Sequence, residues 1–199
     1  MLKTRREDPL CKLADEADKR GYKGYADYCR LRFKKNRAEA LEKVSKFIDE
    51  INAETPKKQR AFADWILTFC FYNPEIIDAC PLPLKRDLLA PIIASWTEAE
   101  PDNPKVLRWN KDERALLVAA RALPPDEIAI GRYAMAIINR IDFAHDASEY
   151  SSDDARSDLA EIQSVLQLLY NIPEAPFFQT IREDALILKV QLQKAAKQK

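Results

Sequence analysis

Prolines partition this chain more firmly than any other residue type. A proline donates no backbone hydrogen bond and disfavours helix in the residue before it, so helical runs open on one or stop short of one. Thr55-Pro56 has the form of a cap followed by a first-turn proline, and Asn73-Pro74 closes the run it opens. Between them Phe62, Trp65, Ile66, Phe69 and Cys70 recur at helical steps, an aromatic stripe of the kind that builds a core. Pro81-Leu82-Pro83 leads into Leu84, Leu88, Leu89, Ile92, Ile93 and Trp96, and Pro91 inside that pattern predicts a kink or a late helix start. Pro101-Asp102-Asn103-Pro104 stops this helix and starts another with Pro104 in its first turn.

From there the spacing predicts a short helix over 104–109. A second over 111–122 opens on a capping box of Asn110 and Glu113. Pro124-Pro125 ends it, and Asp126 and Glu127 place negative charge where the dipole of the next helix favours it. That helix carries Ile130, Tyr133, Ala134, Ile137, Ile138 and Ile141 as one stripe. Ser151 to Asp154 caps a helix bearing Leu159, Ile162, Leu166 and Leu169, and the chain turns over 171–176. The last helix repeats Phe178, Ile181, Ala185, Leu188 and Leu192 as a heptad seam, with Leu186 and Val190 on a flank that suggests contact with more than one helix. Upstream, Leu41, Val44, Ile48 and Ile51 form a similar seam over 37–52. Residues 1–34 read as one or two helices broken near Gly21 and Gly24.

Three glycines in 199 residues disfavour sheets and glycine-rich loops, so the expected class is all-α. The length suits a single all-helical domain over 1–199, with 1–36 as a less tightly packed basic N-terminal arm. Basic and acidic side chains balance at 32 each, yet residues 1–60 carry +6, 61–110 carry −3, 111–170 carry −5 and 171–199 carry +2. The neutral total makes nucleic acid an unfavoured partner. The run RLRFKKNR at 30–37 has the local pattern of a phosphate contact, but neighbouring acids make a solvated, helix-ending turn the simpler reading. Met1 to Asp8 has no apolar signal core and no window approaches the ~20 apolar residues of a membrane span, so a cytoplasmic protein is expected.

Cys11, Cys29, Cys70 and Cys80 form no C-x-x-C pair, and Cys70, in the apolar run from Ile66 to Phe71, reads as a reduced core thiol. The sole histidine, His145, shares a helical face with Asp142, Asp146 and Glu149, half of a bundle metal site. The second carboxylate-histidine half is missing, so neither metal nor cofactor is expected, and His145, Asp142 and Glu149 stay weak candidates. No nucleophile elbow, phosphate loop or zinc-protease motif occurs, which points away from an enzyme.

EPDNPKVLRW, RALLVAARALPPDEIA and IDFAHDASEY, spanning roughly 98–165, resemble in their order a group of uncharacterised bacterial proteins with a tetratricopeptide-like fold. The resemblance implies stacked antiparallel helical hairpins, in a tetratricopeptide-like superhelix or an irregular helical bundle, and carries no assigned activity. Such hairpins bind a protein or peptide on a concave face, for which Arg108, Trp109, Arg132 and Tyr133 supply the anchoring residue types. Two alternatives stand beside this non-enzymatic binding module. An immunity or antitoxin-type inhibitor of a basic toxin would use the −5 of 111–170, and a helical enzyme or metal protein would centre on His145. Pairing of the seams at 41–51 and 178–192 between chains would give a homodimer.

Overall fold

The computed structural model describes residues 8–145, 150–172 and 174–197. They are helical throughout apart from turns, and no strand occurs among them. Contacts sort the chain, read above as a single domain over 1–199, into two compact units, Met1–Ala99 and Glu100–Lys199. The boundary falls just before the Pro101-to-Pro104 turn, which breaks the helix and leaves each side to bury its own apolar face. The first unit carries 19 basic and 16 acidic residues and the second 13 and 16, so the chain's neutrality is the sum of +3 and −3.

The first unit contains α1 (Pro9–Lys19), α2 (Lys23–Phe33), α3 (Arg37–Asn52) and α4 (Pro56–Tyr72). A 3-10 turn (Ile77–Ala79), α5 (Leu82–Leu84), a π-helical turn (Lys85–Leu89) and α6 (Ala90–Ala99) complete it. The basic N-terminal segment is not a loose arm over its described part: Leu13, Ala17, Tyr25, Tyr28 and Cys29 are fully buried, and α1 packs on α2 and α2 on α3. Its polar composition hides a narrow inward face of small and aromatic residues. Gly21, at φ 85°, lets the chain leave α1, and the Tyr22 N–H then closes back on the Ala17 carbonyl at 2.9 Å. Lys35, at φ 59°, ends α2 by the same geometry, with the Asn36 N–H on the Leu31 carbonyl at 2.9 Å.

The predicted seam of α3 is rotated. Leu41 is exposed, while Ala40, Val44, Phe47, Ile48 and Ile51 face inward. Phe47 turns the inward face because it packs on Phe62, with ring centroids 4.9 Å apart, and both pack on Tyr25 at 5.7 and 5.6 Å. The Tyr25 hydroxyl donates to the Ala79 carbonyl and the Tyr28 hydroxyl donates to the Asp78 carbonyl at 2.6 Å, pinning the turn after α4 from within. Pro91 acts upstream of itself. The Ala90 N–H reaches the Lys85 carbonyl, a five-residue step, so the widened turn at 85–89 gives the proline ring room without ending the helix.

The second unit contains α7 (Pro104–Leu107), α8 (Glu113–Ala120), α9 (Glu127–His145), α10 (Ser152–Tyr170) and α11 (Pro176–Ala195). Asn103 caps α7, accepting the Lys105 N–H at 2.9 Å, with Pro104 in the first turn as the sequence predicts. The capping box assigned to Asn110 and Glu113 does not form. Asp112 caps α8 by accepting the Arg114 N–H at 2.7 Å, and Asn110 spends its carbonyl on Lys111 and Asp112. Ser151 and Asp154 do form a capping box on α10. Helices α9, α10 and α11 pack on one another and α8 lies on α9. The seam Phe178, Ile181, Ala185, Leu188 and Leu192 is wholly buried within this bundle, where α11 meets both α9 and α10, while Leu186 and Val190 on its flank are exposed. Among the described residues no helix is long and apolar enough to cross a membrane.

Candidate functional site

Three of the four residues nominated as interface anchors converge in the second unit. The Trp109 ring lies between two guanidiniums, with Arg108 Cζ at 5.0 Å and Arg132 Cζ at 5.6 Å from its centroid. Arg108 Nη1 pairs with Asp126 Oδ2 at 2.7 Å, both side chains mostly buried, while Asp126 Oδ1 caps α9 by accepting the Ala129 N–H at 2.9 Å. Arg132 donates to the Arg108 carbonyl, and burial lowers its pKa from the ordinary value. The cluster therefore clamps the loop after α7 to the first turns of α9. Tyr133 stands apart from it, buried in the bundle, where burial raises its phenol pKa. None of the four is presented as an open anchoring side chain, because the turn-forming chemistry that drew attention to the segment is satisfied internally.

Of the weak metal candidates, His145 and Asp142 lie among the described residues and Glu149, like Asp146, does not. His145 is half-buried against the Tyr150 ring at 5.2 Å, and Asp142 is exposed. Tyr150 in turn donates to Asp158 Oδ2 at 2.7 Å. Among the described residues no group of three His, Cys, Asp or Glu side chains is placed to hold a metal ion.

A concavity lies elsewhere, in the first unit, where the turn between α1 and α2 faces α3 and the start of α4. It encloses about 640 Å³. Its floor is Phe47, Ile51 and the Tyr22 ring, which stacks on Trp65 at 5.5 Å. Five cations edge it: Arg20, Lys23, Lys43, Lys46 and Lys58. Asp27, Glu50 and Glu54 are the carboxylates in the same lining, leaving a surplus of positive charge. Lys58 pairs with Glu54 at 3.0 Å and Lys43 with Asp27 at 3.9 Å, both pairs solvated enough to exchange partners. Gly24 keeps one wall close: a methyl group there would lie 3.2 Å from both Phe47 Cβ and Glu50 Oε2. Burial raises the Tyr22 phenol pKa, against the opposing pull of Arg20 and Lys58.

Sequence reasoning missed this cleft because its cations are scattered from position 20 to position 58. In the compact run at 30–37 that stood out instead, two of the five basic side chains are engaged within the fold and Lys34, Lys35 and Arg37 are exposed. Arg30 pairs with Asp15 and Asp18, and Arg32 with Asp78.

The same unit holds all four cysteines, none of them in a disulfide. Burial pushes the Cys29 thiol up to about 12, whereas the hydrogen bond from Cys80 lowers the pKa of the half-exposed Cys70, with Lys85 assisting. The chain matches no protein-family model, no curated protein and no solved structure.

Proposed function

We propose that this chain is a non-enzymatic protein-interaction module that takes an acidic peptide segment into the cleft of its first unit. One observation carries the reading. A concavity of about 640 Å³ between helical hairpins joins an aromatic and aliphatic floor to an edge of five cations. An extended segment carrying Asp or Glu beside an aromatic residue matches that combination, the ring on the floor and the carboxylates on the rim. Lys43, Lys46 and Lys58 already pair with carboxylates of their own chain, so a peptide exchanges one solvated pair for another and gains the buried contact. Helical hairpins of tetratricopeptide type bind partners in just such a hollow, which is the sense in which the resemblance supports the reading.

Fluorescence anisotropy with a labelled Glu-Asp-Trp-rich peptide tests it, beside a peptide in which the acids are amides. The acidic peptide should bind and weaken about tenfold between 50 and 300 mM salt, and Lys43→Glu with Lys46→Glu should weaken it at least as much. Equal binding of the amide peptide, or no loss in the charge-reversed variant, would remove the cleft from the account.

A further inference from the structure

The last helix has a second apolar face that its own bundle leaves uncovered. Leu186, Ile187 and Val190 are 41%, 60% and 49% exposed, although Phe178, Ile181, Ala185, Leu188 and Leu192 on the opposite side are already buried. Glu183, Ile187, Val190 and Lys194 follow at steps of four, three and four, so they lie in one line along the helix, with Leu186 and Gln191 on its two shoulders. Glu183 and Lys194 are both exposed at the ends of that line. The central line keeps its order of charged, apolar, apolar and charged residues when read in either direction, with the sign of the end charges exchanged. It is centred between Leu188 and Lys189, and reversing the helix about that point exchanges Glu183 with Lys194, Leu186 with Gln191 and Ile187 with Val190.

We propose that this face pairs with the same face of a second copy of the chain, antiparallel and about a two-fold axis at the middle of α11. Ile187 then meets the partner's Val190, and Glu183 meets the partner's Lys194, each contact occurring twice by symmetry. A parallel pair would set Glu183 on the partner's Glu183 and Lys194 on the partner's Lys194, so charge selects the antiparallel arrangement. The heptad seam first assigned to pairing between chains, 178–192, is consumed inside the bundle; the face next to it remains for association. None of its residues lines the cleft of the first unit, so the two surfaces can be tested separately.

The test is sedimentation equilibrium of the full chain from micromolar to submillimolar concentration, with charge-reversal variants. The natural chain should show a monomer-dimer equilibrium. Glu183→Lys alone and Lys194→Glu alone should each weaken it about tenfold or more, because each places like charges in both symmetry-related contacts. Mixing those two variants should restore the dimer, since every contact then pairs opposite signs, and so should the double variant. Both single changes lie on an exposed face, so far-ultraviolet circular dichroism should confirm that they stay folded. A chain that remains monomeric throughout, or a dimer that the single reversals leave unchanged, would falsify the assignment.

Discussion

The two units solve the same problem, how to fix the turns between packed helices, from opposite directions. In the first unit the turn after α4 is held from inside, where the hydroxyls of Tyr25 and Tyr28 donate to the carbonyls of Ala79 and Asp78. In the second, turns are held from the rim by guanidiniums. Arg132 donates to the Arg108 carbonyl, and Arg182 reaches the Leu169 and Ile172 carbonyls at the end of α10 at 2.7 and 2.9 Å. The cores differ to match. Tyr25, Phe47 and Phe62 form a ring cluster at the centre of the first unit, whereas Ile, Leu, Val and Ala fill most of the second. A buried phenol must satisfy its hydroxyl, so an aromatic core that uses tyrosine draws nearby backbone into itself. An aliphatic core makes no such demand and leaves its loops to long cationic side chains that water can partly replace.

This contrast breaks most visibly at Phe62. Phe62→Ala should cost the first unit about 3–5 kcal/mol, and Phe178→Ala should cost the second a similar amount, each with little effect on the other unit. Thiol labelling separates them, because all the cysteines belong to the first unit. The lowered pKa of the partly exposed Cys70 gives it a larger thiolate share at pH 8 than an ordinary thiol has, so it should label first in the folded protein. Cys29, raised to about 12, is almost wholly thiol at that pH and buried, so its labelling should follow opening of the unit. Phe62→Ala should therefore accelerate Cys29 labelling by roughly two to three orders of magnitude, and Phe178→Ala should not. Equal acceleration by both would mean that the units unfold together.

A finer test compares the two ways of holding a turn. Tyr25→Phe removes the donor from a carbonyl with no water to replace it and should cost about 1–3 kcal/mol by denaturant titration. Arg182→Met keeps most of the packing stem at a site nearer solvent and should cost about 0.5–1.5 kcal/mol. A reversal of that order would show that the rim contacts, and not the inner ones, set turn stability.

Local signals in the sequence were legible where one residue type has one job. Pro56, Pro104 and Ser151 open the helices that their chemistry predicts, and Phe178 to Leu192 falls inside as the heptad spacing requires. Legibility failed where two residues compete for one role. Asn110 and Asp112 both offer a cap to α8, and the carboxylate nearer the helix start takes it. Leu41 and Phe47 both offer a seam to α3, and the ring that reaches Phe62 wins. The cleft was illegible for a different reason. Arg20, Lys23, Lys43, Lys46 and Lys58 belong to no motif, and only the fold gathers them. Arg108, Trp109 and Arg132 stood out in the sequence only as residue types that anchor interfaces; the fold sets them around one ring, with Asp126 and the Arg108 carbonyl engaging the two guanidiniums within the unit.

The widened turn at Lys85–Leu89 holds one residue more than an α-helical turn would, and so works as a phase shifter. Beyond it Ile92 and Trp96 face the core while Ala90, Pro91 and Ala94 lie at the surface, the phase that the wider turn sets for the helix that follows. The span 82–99 is thus two α-helical stretches joined by an offset, and a single-residue deletion within 85–89 would be taken up by tightening that turn to ordinary α-helix, leaving Trp96 on the core. For a single deletion this short stretch is therefore the most forgiving part of the span 82–99, despite looking like continuous helix.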